Sequence, residues 1–447
     1  MKGLFEMKQG ENQTRREFLK TSALAGAGAA LAVSGASAWA APQAKSKLNL
    51  RVRQDLIPDF IMDGYLKRYN AKNKDVRVAS SFVDSNHGWG YEVEHCHEAP
   101  AWYTQGEPCQ IFMGRGPALA QLADAGTIIP LDEFIDKSTD LPRDDFHTSR
   151  YGCVLDSTTY RGSLWGIPII ADTYALFCNM DLFGAAGLSV TPDNWEDAIS
   201  MARAMTRDTN GDGAPDVFGY SQCSFQFPLQ ILSAGLDLVD VANKRVLFDS
   251  DAGLEALDTY RRLSANSPPH TDFEKGDMGM KISVCTNAHG RYKHINHITT
   301  PLPAGARRAN SYGDSDGAVA MAISAAATPD ERAAAWRFIE YIASAPMFFE
   351  LTNAARMLPL RKSILSSDKY AEYLEKYPIK KAFIQELEYA VPKPCIPEYR
   401  YIEVIMRDIL YVVQKADNRM DVTREAMLEH LKAKTELVNQ RLAKATW

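Results

Sequence analysis

Beyond its N-terminus the sequence has no apolar run of about 18 residues or more, so the rest of the chain lacks a transmembrane helix. It also lacks a basic block. With a formal charge of −6, this argues against nucleic acid as the main partner. Seven cysteines in 447 residues are too few for a disulfide scaffold. Their number is odd, so at least one thiol stays unpaired if all pairing is internal. Cys96 and Cys109 are the only near neighbours. A bridge there would close a short loop and contribute ~3 kcal/mol, and two separate thiols are the open alternative. The motifs GxxxxGK[ST], GxGxxG and HExxH are all missing, and no cofactor is called for. A Ser/His/Asp triad leaves no such trace, because its members need not be adjacent. There is no internal repeat.

What is present is ordinary globular material, 46% hydrophobic and 24% charged, long enough for about two or three domain-sized units. The N-terminus stands apart. Thr14-Arg15-Arg16-Glu17-Phe18-Leu19-Lys20 fits the twin-arginine export pattern. An Ala/Gly-rich apolar stretch follows from Ser22 to Val33, then the small-residue triplet Ala38-Trp39-Ala40. Residues 1–40 therefore read as a signal peptide, with a basic first helix as the plain alternative. Cleavage after Ala40 would leave 407 residues of net charge −8, because the removed piece carries five Lys/Arg and three Asp/Glu. The first cysteine is Cys96, so no lipid-anchoring cysteine follows the apolar stretch. The expectation is a soluble periplasmic protein, exported already folded.

The hydropathy pattern alternates strand and helix. Leu48–Gln54 reads as a strand, Pro58–Tyr69 as a helix and Val76–Val83 as a strand, a βαβ opening that implies a parallel sheet. Gln110–Met113 is a further strand. Pro117–Ala125 is a helix closed by Gly126. A helix starts in Pro130–Ile135. A turn at Arg161-Gly162 precedes a long apolar strand region. Thr191-Pro192-Asp193-Asn194 predicts an N-cap with proline at the first helical position, the helix facing inward through Trp195, Ile199, Ala202 and Met205. Thr328-Pro329-Asp330-Glu331 predicts a capping box whose helix buries Ala335, Phe338, Ile339 and Ile342. Tyr401–Gln414 and Val422–Leu442 are the clearest C-terminal helices.

Two clusters bear on metals. Glu94-His95-Cys96-His97-Glu98 offers imidazole and thiolate, but ligands at i and i+2 seldom complete a site by themselves. Asp208, Asn210, Asp212 and Asp216 match the first half of a calcium loop, but the twelfth position is Gly219 and the bidentate Glu is missing. An Asx-rich turn explains the same residues.

Four stretches in order carry a family resemblance. They are Ala118–Gly126 with Pro130-Leu131-Asp132; Leu164-Trp165-Gly166-Ile167-Pro168 with Leu176–Leu182 and Gly187; Trp195–Tyr220; and Ala333–Ile342 with Leu358-Pro359-Leu360-Arg361. They resemble the family 1 extracellular solute-binding proteins, sugar-type receptors of ABC importers. Cys178 stands where that pattern has an aromatic residue. The resemblance implies an α/β fold of two lobes, each a mixed or parallel sheet flanked by helices, with hinge crossovers and a helical C-terminus. It implies an N-terminal lobe of residues 41–170 plus 312–357, a C-terminal lobe of 171–311 plus 358–447, and a first hinge at Ile169–Asp172. It also implies a monomer without enzymatic activity that hands a small solute, most simply a carbohydrate, to an inner-membrane permease.

A sugar site needs aromatic faces and paired polar groups. Residues at strand ends and in loops facing such a cleft are Asp84, Trp89, Trp102 and Arg115 on the first lobe. Asp172 and Tyr174 stand at the hinge, and Gln222, Phe225, Asn287 and His289 on the second lobe. Tyr312, Asp314 and Arg361 lie on the return crossings. Arg115, Arg291 and Arg361 leave room for an anionic solute. Two other readings stay open: a metal-dependent periplasmic enzyme built on His95 and His97, and a receptor that reports to a membrane sensor.

Overall fold

The computed structural model describes residues 46–53, 59–83, 109–268, 272–285, 292–312, 318–354, 357–415 and 419–447. In chain order, β1 (Ser46–Arg53), α1 (Asp59–Lys72), β2 (Val76–Val83), β3 (Ile111–Arg115), α2 (Gly116–Asp124) and β4 (Ile167–Ile170) come first. Then follow β5 (Tyr174–Asn179), α3 (Trp195–Met205), β6 (Phe218–Ser221), α4 (Phe227–Ser233), α5 (Asp251–Ser264), β7 (Met278–Val284) and β8 (His297–Thr300). The chain closes with β9 (Val319–Ile323), α6 (Pro329–Ala343), α7 (Lys381–Leu387), α8 (Tyr399–Gln414) and α9 (Arg424–Leu442).

The main strands form two sheets. The first has the order β2-β1-β3-β9-β4, with β1 parallel to β2 and β3, and β9 antiparallel to β3 and β4. The second has the order β6-β7-β5-β8, with β6 and β7 parallel and β5 antiparallel to β7 and β8. Strands β4, β5 and β9 are buried along their whole length, and apolar except for Asn179 at the end of β5. That is the mark of strands covered on both faces.

The registers fix which ends meet. Val319 at the start of β9 pairs with Arg115 at the end of β3 and with Ile170 at the end of β4. Tyr174 at the start of β5 pairs with Val284 at the end of β7. Only Ala171, Asp172 and Thr173 separate Ile170 from Tyr174, so these two residues stand at most about 14 Å apart. Each sheet therefore turns the carboxyl ends of its parallel strands toward one short crossing. In open α/β sheets that is where ligands bind.

Local chemistry explains most boundaries. Gly126 ends α2 at φ +67°, as a left-handed cap requires. Arg161 and Gly162 both have positive φ and turn the Thr159–Leu164 hairpin. At α6, Thr328 Oγ1 accepts the Glu331 N–H at 3.3 Å and Glu331 returns a carboxylate to the Thr328 N–H at 2.8 Å, the expected capping box. The expected inward faces of α3 and α6 are buried.

One expected helix start moves. Asn194, not Thr191, caps α3, its Oδ1 accepting the Asp197 N–H at 2.9 Å. The reason is tertiary. Ala304 N–H donates to Asp193 O at 2.9 Å and Trp195 N–H to Ala304 O at 3.2 Å, holding residues 193–194 extended against a neighbouring loop.

Close packing of α3 on β6 generates a test. A Cβ on Gly219 would stand 1.9 Å from the carbonyl oxygen of Ala202, whereas one on Gly64 in α1 meets nothing within 4 Å. Gly219→Ala should cost about 2–3 kcal/mol or more and Gly64→Ala should stabilise by about 0.5–1 kcal/mol. Urea midpoints of the two variants decide it, and equal midpoints would contradict this packing.

Candidate functional site

At the crossing, Asp172 is buried and its Oδ1 accepts the backbone N–H groups of Thr173 and Cys285, both at 2.9 Å. It thereby ties the crossing to the residue that follows β7. Thr173 Oγ1 donates to Phe383 O of α7 at 2.9 Å. Tyr174 is buried too. Its N–H donates to Asn310 Oδ1 at 3.1 Å, its carbonyl accepts from Asn310 Nδ2 at 2.8 Å, and its ring stacks on Phe225 with centroids 5.5 Å apart. Behind Asn310 lies Glu386, fully buried. It accepts from Asn310 Nδ2 at 2.7 Å and from Arg308 at 2.9 Å. Burial lifts the Glu386 carboxyl above its ordinary value, and these donors oppose the rise.

Beyond Phe225 the segment from β6 into α4 carries a concentration of buried polar atoms. The Tyr220 hydroxyl, Ser221 Oγ, Gln222 Oε1, Gln226 Oε1 and both amide atoms of Gln230 have no hydrogen-bond partner among the described residues. Buried polar groups are nearly always satisfied in folded proteins, so such a concentration marks a place for water or a polar guest. Gln222 and Phe225 are readable in the sequence. Gln226 and Gln230 are not among the residues singled out there, although the four-residue spacing of Gln222, Gln226 and Gln230 is a usable signal.

The structure groups the named residues in two sets. Asp172, Tyr174, Gln222 and Phe225 gather where the second sheet meets the crossing, and Arg115 ends β3 on the facing edge, buried. Tyr312 and Arg361 belong elsewhere. The buried Tyr312 hydroxyl lies 2.7 Å from His147 Nδ1. Arg361 Nε donates to Asp145 Oδ2 at 2.6 Å and Nη1 to Ala343 O at 2.8 Å, a buried ion pair. Asp145 also accepts from Ser363, and these partners hold its carboxyl below the ordinary range despite its burial. Asp84, Trp89, Trp102, Asn287, His289 and Asp314 lie outside the described residues. So do Arg291, the His95-Cys96-His97 cluster and, with Cys96, the expected bridge to Cys109.

In the 208–216 loop the carboxylates serve the loop itself. Asp208 accepts the N–H groups of Asn210, Gly211 and Gly213, and Asp216 accepts from Thr209. Those backbone donors, first Gly213 and Gly211, lower the Asp208 pKa. Among the described residues no group of three His, Cys, Asp or Glu is arranged to hold a metal.

Comparison with known proteins agrees with this geometry. Residues 57–347 match the bacterial extracellular solute-binding proteins, and residues 12–32 match the twin-arginine translocation signal. The chain belongs to the bacterial extracellular solute-binding protein family. It is thus the solute-binding component of an ABC transporter, a transport receptor and not an enzyme. A protein of Brucella abortus (strain 2308) named as a binding protein is 22% identical over 341 residues, 72% of this chain and 77% of that one. The cyclic alpha-maltosyl-1,6-maltose binding protein of Arthrobacter globiformis superposes with a TM-score of 0.72 at 20% identity, covering 89% of this chain and 99% of that one. UgpB of Mycobacterium tuberculosis, solved with glycerophosphocholine, gives 0.72 at 15% identity, covering 89% and 99%. At such identities the likeness shows the fold: sheets flanked by helices in the periplasmic-binding-protein arrangement.

The His147–Tyr312 pair makes stability depend on pH. Burial first, and Lys362 second, hold the His147 pKa down at about 4. Between that value and the ordinary ~6.5 the unfolded chain binds a proton that the folded chain does not, so stability falls as pH drops through this window and levels off below it. At pH 5 the loss is about 2 kcal/mol relative to pH 7. His147→Gln should abolish that share of the difference between urea denaturation at pH 7 and at pH 5. An unchanged difference would remove His147 as its source.

Proposed function

We propose that this receptor captures a sugar, or a polyhydroxylated solute of similar size, between two lobes made of residues 41–170 plus 312–357 and 171–311 plus 358–447. Support for this comes from the short crossing at residues 171–173, where the carboxyl-end edges of both sheets meet and which one buried network anchors to α7. A solute bridging the two edges would contact both only when they approach. Its binding energy would therefore stabilise the closed form. Asp172, Gln222 and Gln226 would hydrogen-bond hydroxyls, with the Tyr174–Phe225 stack as the apolar wall. Arg115 would serve from the facing edge. Asp84, Trp89, Trp102, Asn287, His289 and Asp314 are proposed as the remaining contacts.

On this reading the protein works as a soluble periplasmic monomer, cleaved after Ala40 and not lipid-anchored, that docks on an inner-membrane permease when closed. The solute passes on unaltered. The relatives leave two chemistries to compare, since one structural neighbour is a cyclic maltosyl-maltose binder and another holds glycerophosphocholine.

Thermal-shift screening of ligand-stripped mature protein tests the assignment, because a ligand that binds only the folded form raises Tm. The panel holds mono-, di- and oligosaccharides, polyols, sugar acids and glycerophosphodiesters. The expected result is a rise of several degrees with at least one sugar or polyol at saturation, reduced in Gln226→Ala. No shift with any sugar or polyol would overturn the carbohydrate assignment. A shift confined to glycerophosphodiesters would replace it.

A further inference from the structure

The Lys380 side chain, just ahead of α7, is fully buried, and its ammonium has no hydrogen-bond partner among the described residues. A buried charge persists only where an opposite charge or a set of hydrogen bonds compensates it. The groups around Lys380 supply little of either. Its Nζ lies 5.0 Å from the centroid of the Tyr373 ring, a cation–π contact. The hydroxyls of Tyr370 and Tyr373, in the helix Asp368–Lys376, are buried and make no hydrogen bond among the described residues. Burial raises the pKa of both phenols, so they are neutral at pH 7.

The compensating anion is a carboxylate. Four carboxylates are buried among the described residues. Asp258 is held by Arg261 at 2.6 Å, Glu386 by Arg308 at 2.9 Å and Glu403 by Arg400 at 2.9 Å. The fourth is Asp172, and two bonds bring it to Lys380. Cys285 N–H donates to Asp172 Oδ1 at 2.9 Å, and Thr173, the next residue, bonds to Phe383 O, one helical turn beyond Lys380. The buried Cys285 thiol is close to both charges. Burial pushes its pKa up most, Lys380 draws it down and Asp172 raises it.

We propose that Lys380 is a positioning residue for solute capture, its ammonium holding Asp172 as a carboxylate at the crossing. Lys380 touches no solute itself. An ionised carboxylate only accepts hydrogen bonds, so Asp172 would select hydroxyl donors and disfavour phosphate and carboxylate groups. That selectivity rests on Asp172 being a solute contact, whereas the coupling of the two charges does not.

The coupling is tested on the mature protein without any solute. NMR of isotope-labelled aspartate follows the Asp172 carboxyl carbon, assigned by its loss in Asp172→Asn. This carboxyl should be ionised at pH 7 in the parent protein, and its titration midpoint should rise by about one pH unit or more in Lys380→Met. Urea midpoints at pH 7 should show a reversal of sign. Lys380→Met should lower the midpoint of the parent protein and raise that of Asp172→Asn, where the ammonium stands without its anion. A parent Asp172 protonated at pH 7 would overturn the proposal by itself. So would an unmoved Asp172 titration in Lys380→Met, or the same effect of Lys380→Met in both backgrounds, and the N–H groups of Thr173 and Cys285 would then suffice for Asp172. A thermal-shift screen without a responding sugar or polyol would sink the solute assignment and leave this coupling in place.

Discussion

The crossing between the two sheets depends on one buried carboxylate. Glu386 lies fully inside the protein and accepts from Asn310 and Arg308. The Leu302 N–H adds a third bond at 3.3 Å. Asn310 in turn holds both backbone polar groups of Tyr174. A carboxylate that deep would be severely destabilising without such donors, and once they are in place none can leave cheaply. The arrangement therefore does more than offset a desolvation cost. It fixes the first residue of β5, the loop that follows β8 and helix α7 relative to one another. Thr173, bonded to Phe383 of the same helix, adds a second tie one residue away. A crossing held this way has few free dihedrals.

This node was not legible in the sequence. Asn310 and Glu386 are 76 residues apart, and nothing local distinguishes them from any solvated Asn or Glu. Their roles arise from long-range register, which hydropathy patterns do not carry. Local signals behaved differently. The βαβ opening, the Gly126 cap, the Arg161-Gly162 turn and the Thr328 capping box are written in adjacent residues and appear where those residues require. The displaced start of α3 shows where locality ends, since a two-residue bridge to Ala304 outweighs the preference of proline for the first helical turn. The candidate site divides the same way. Polar residues at strand ends can be named from the strand pattern. Whether such a residue faces a guest or an internal partner depends on distant chain, as the Arg361–Asp145 ion pair illustrates.

The glutamines after β6 bear on how a receptor of this kind differs from a merely stable fold. Strands β4 and β9 are apolar throughout, and stability resides in such buried strands. The segment from Tyr220 to Gln230 instead keeps polar atoms buried and unpartnered, which works against stability. Residues that break a local rule in an otherwise consistent structure concentrate where function has a claim on them. On the proposed reading, a guest that supplied the missing donors and acceptors would turn these unpartnered atoms from a cost into a gain.

That division also accounts for the spread of solutes among proteins of this shape. The neighbours from Arthrobacter and Mycobacterium superpose on this chain equally well, yet one is a maltosyl-maltose binder and the other holds glycerophosphocholine. Sheet order and crossing geometry are set by buried strands and by nodes such as Glu386. The groups that would meet a solute are side chains at strand ends, which can change without disturbing the core. Fold and ligand are thus carried by different residues, and the proposed hydroxyl-binding site rests on the amides of Gln222 and Gln226 and the Tyr174–Phe225 wall, not on the scaffold that presents them.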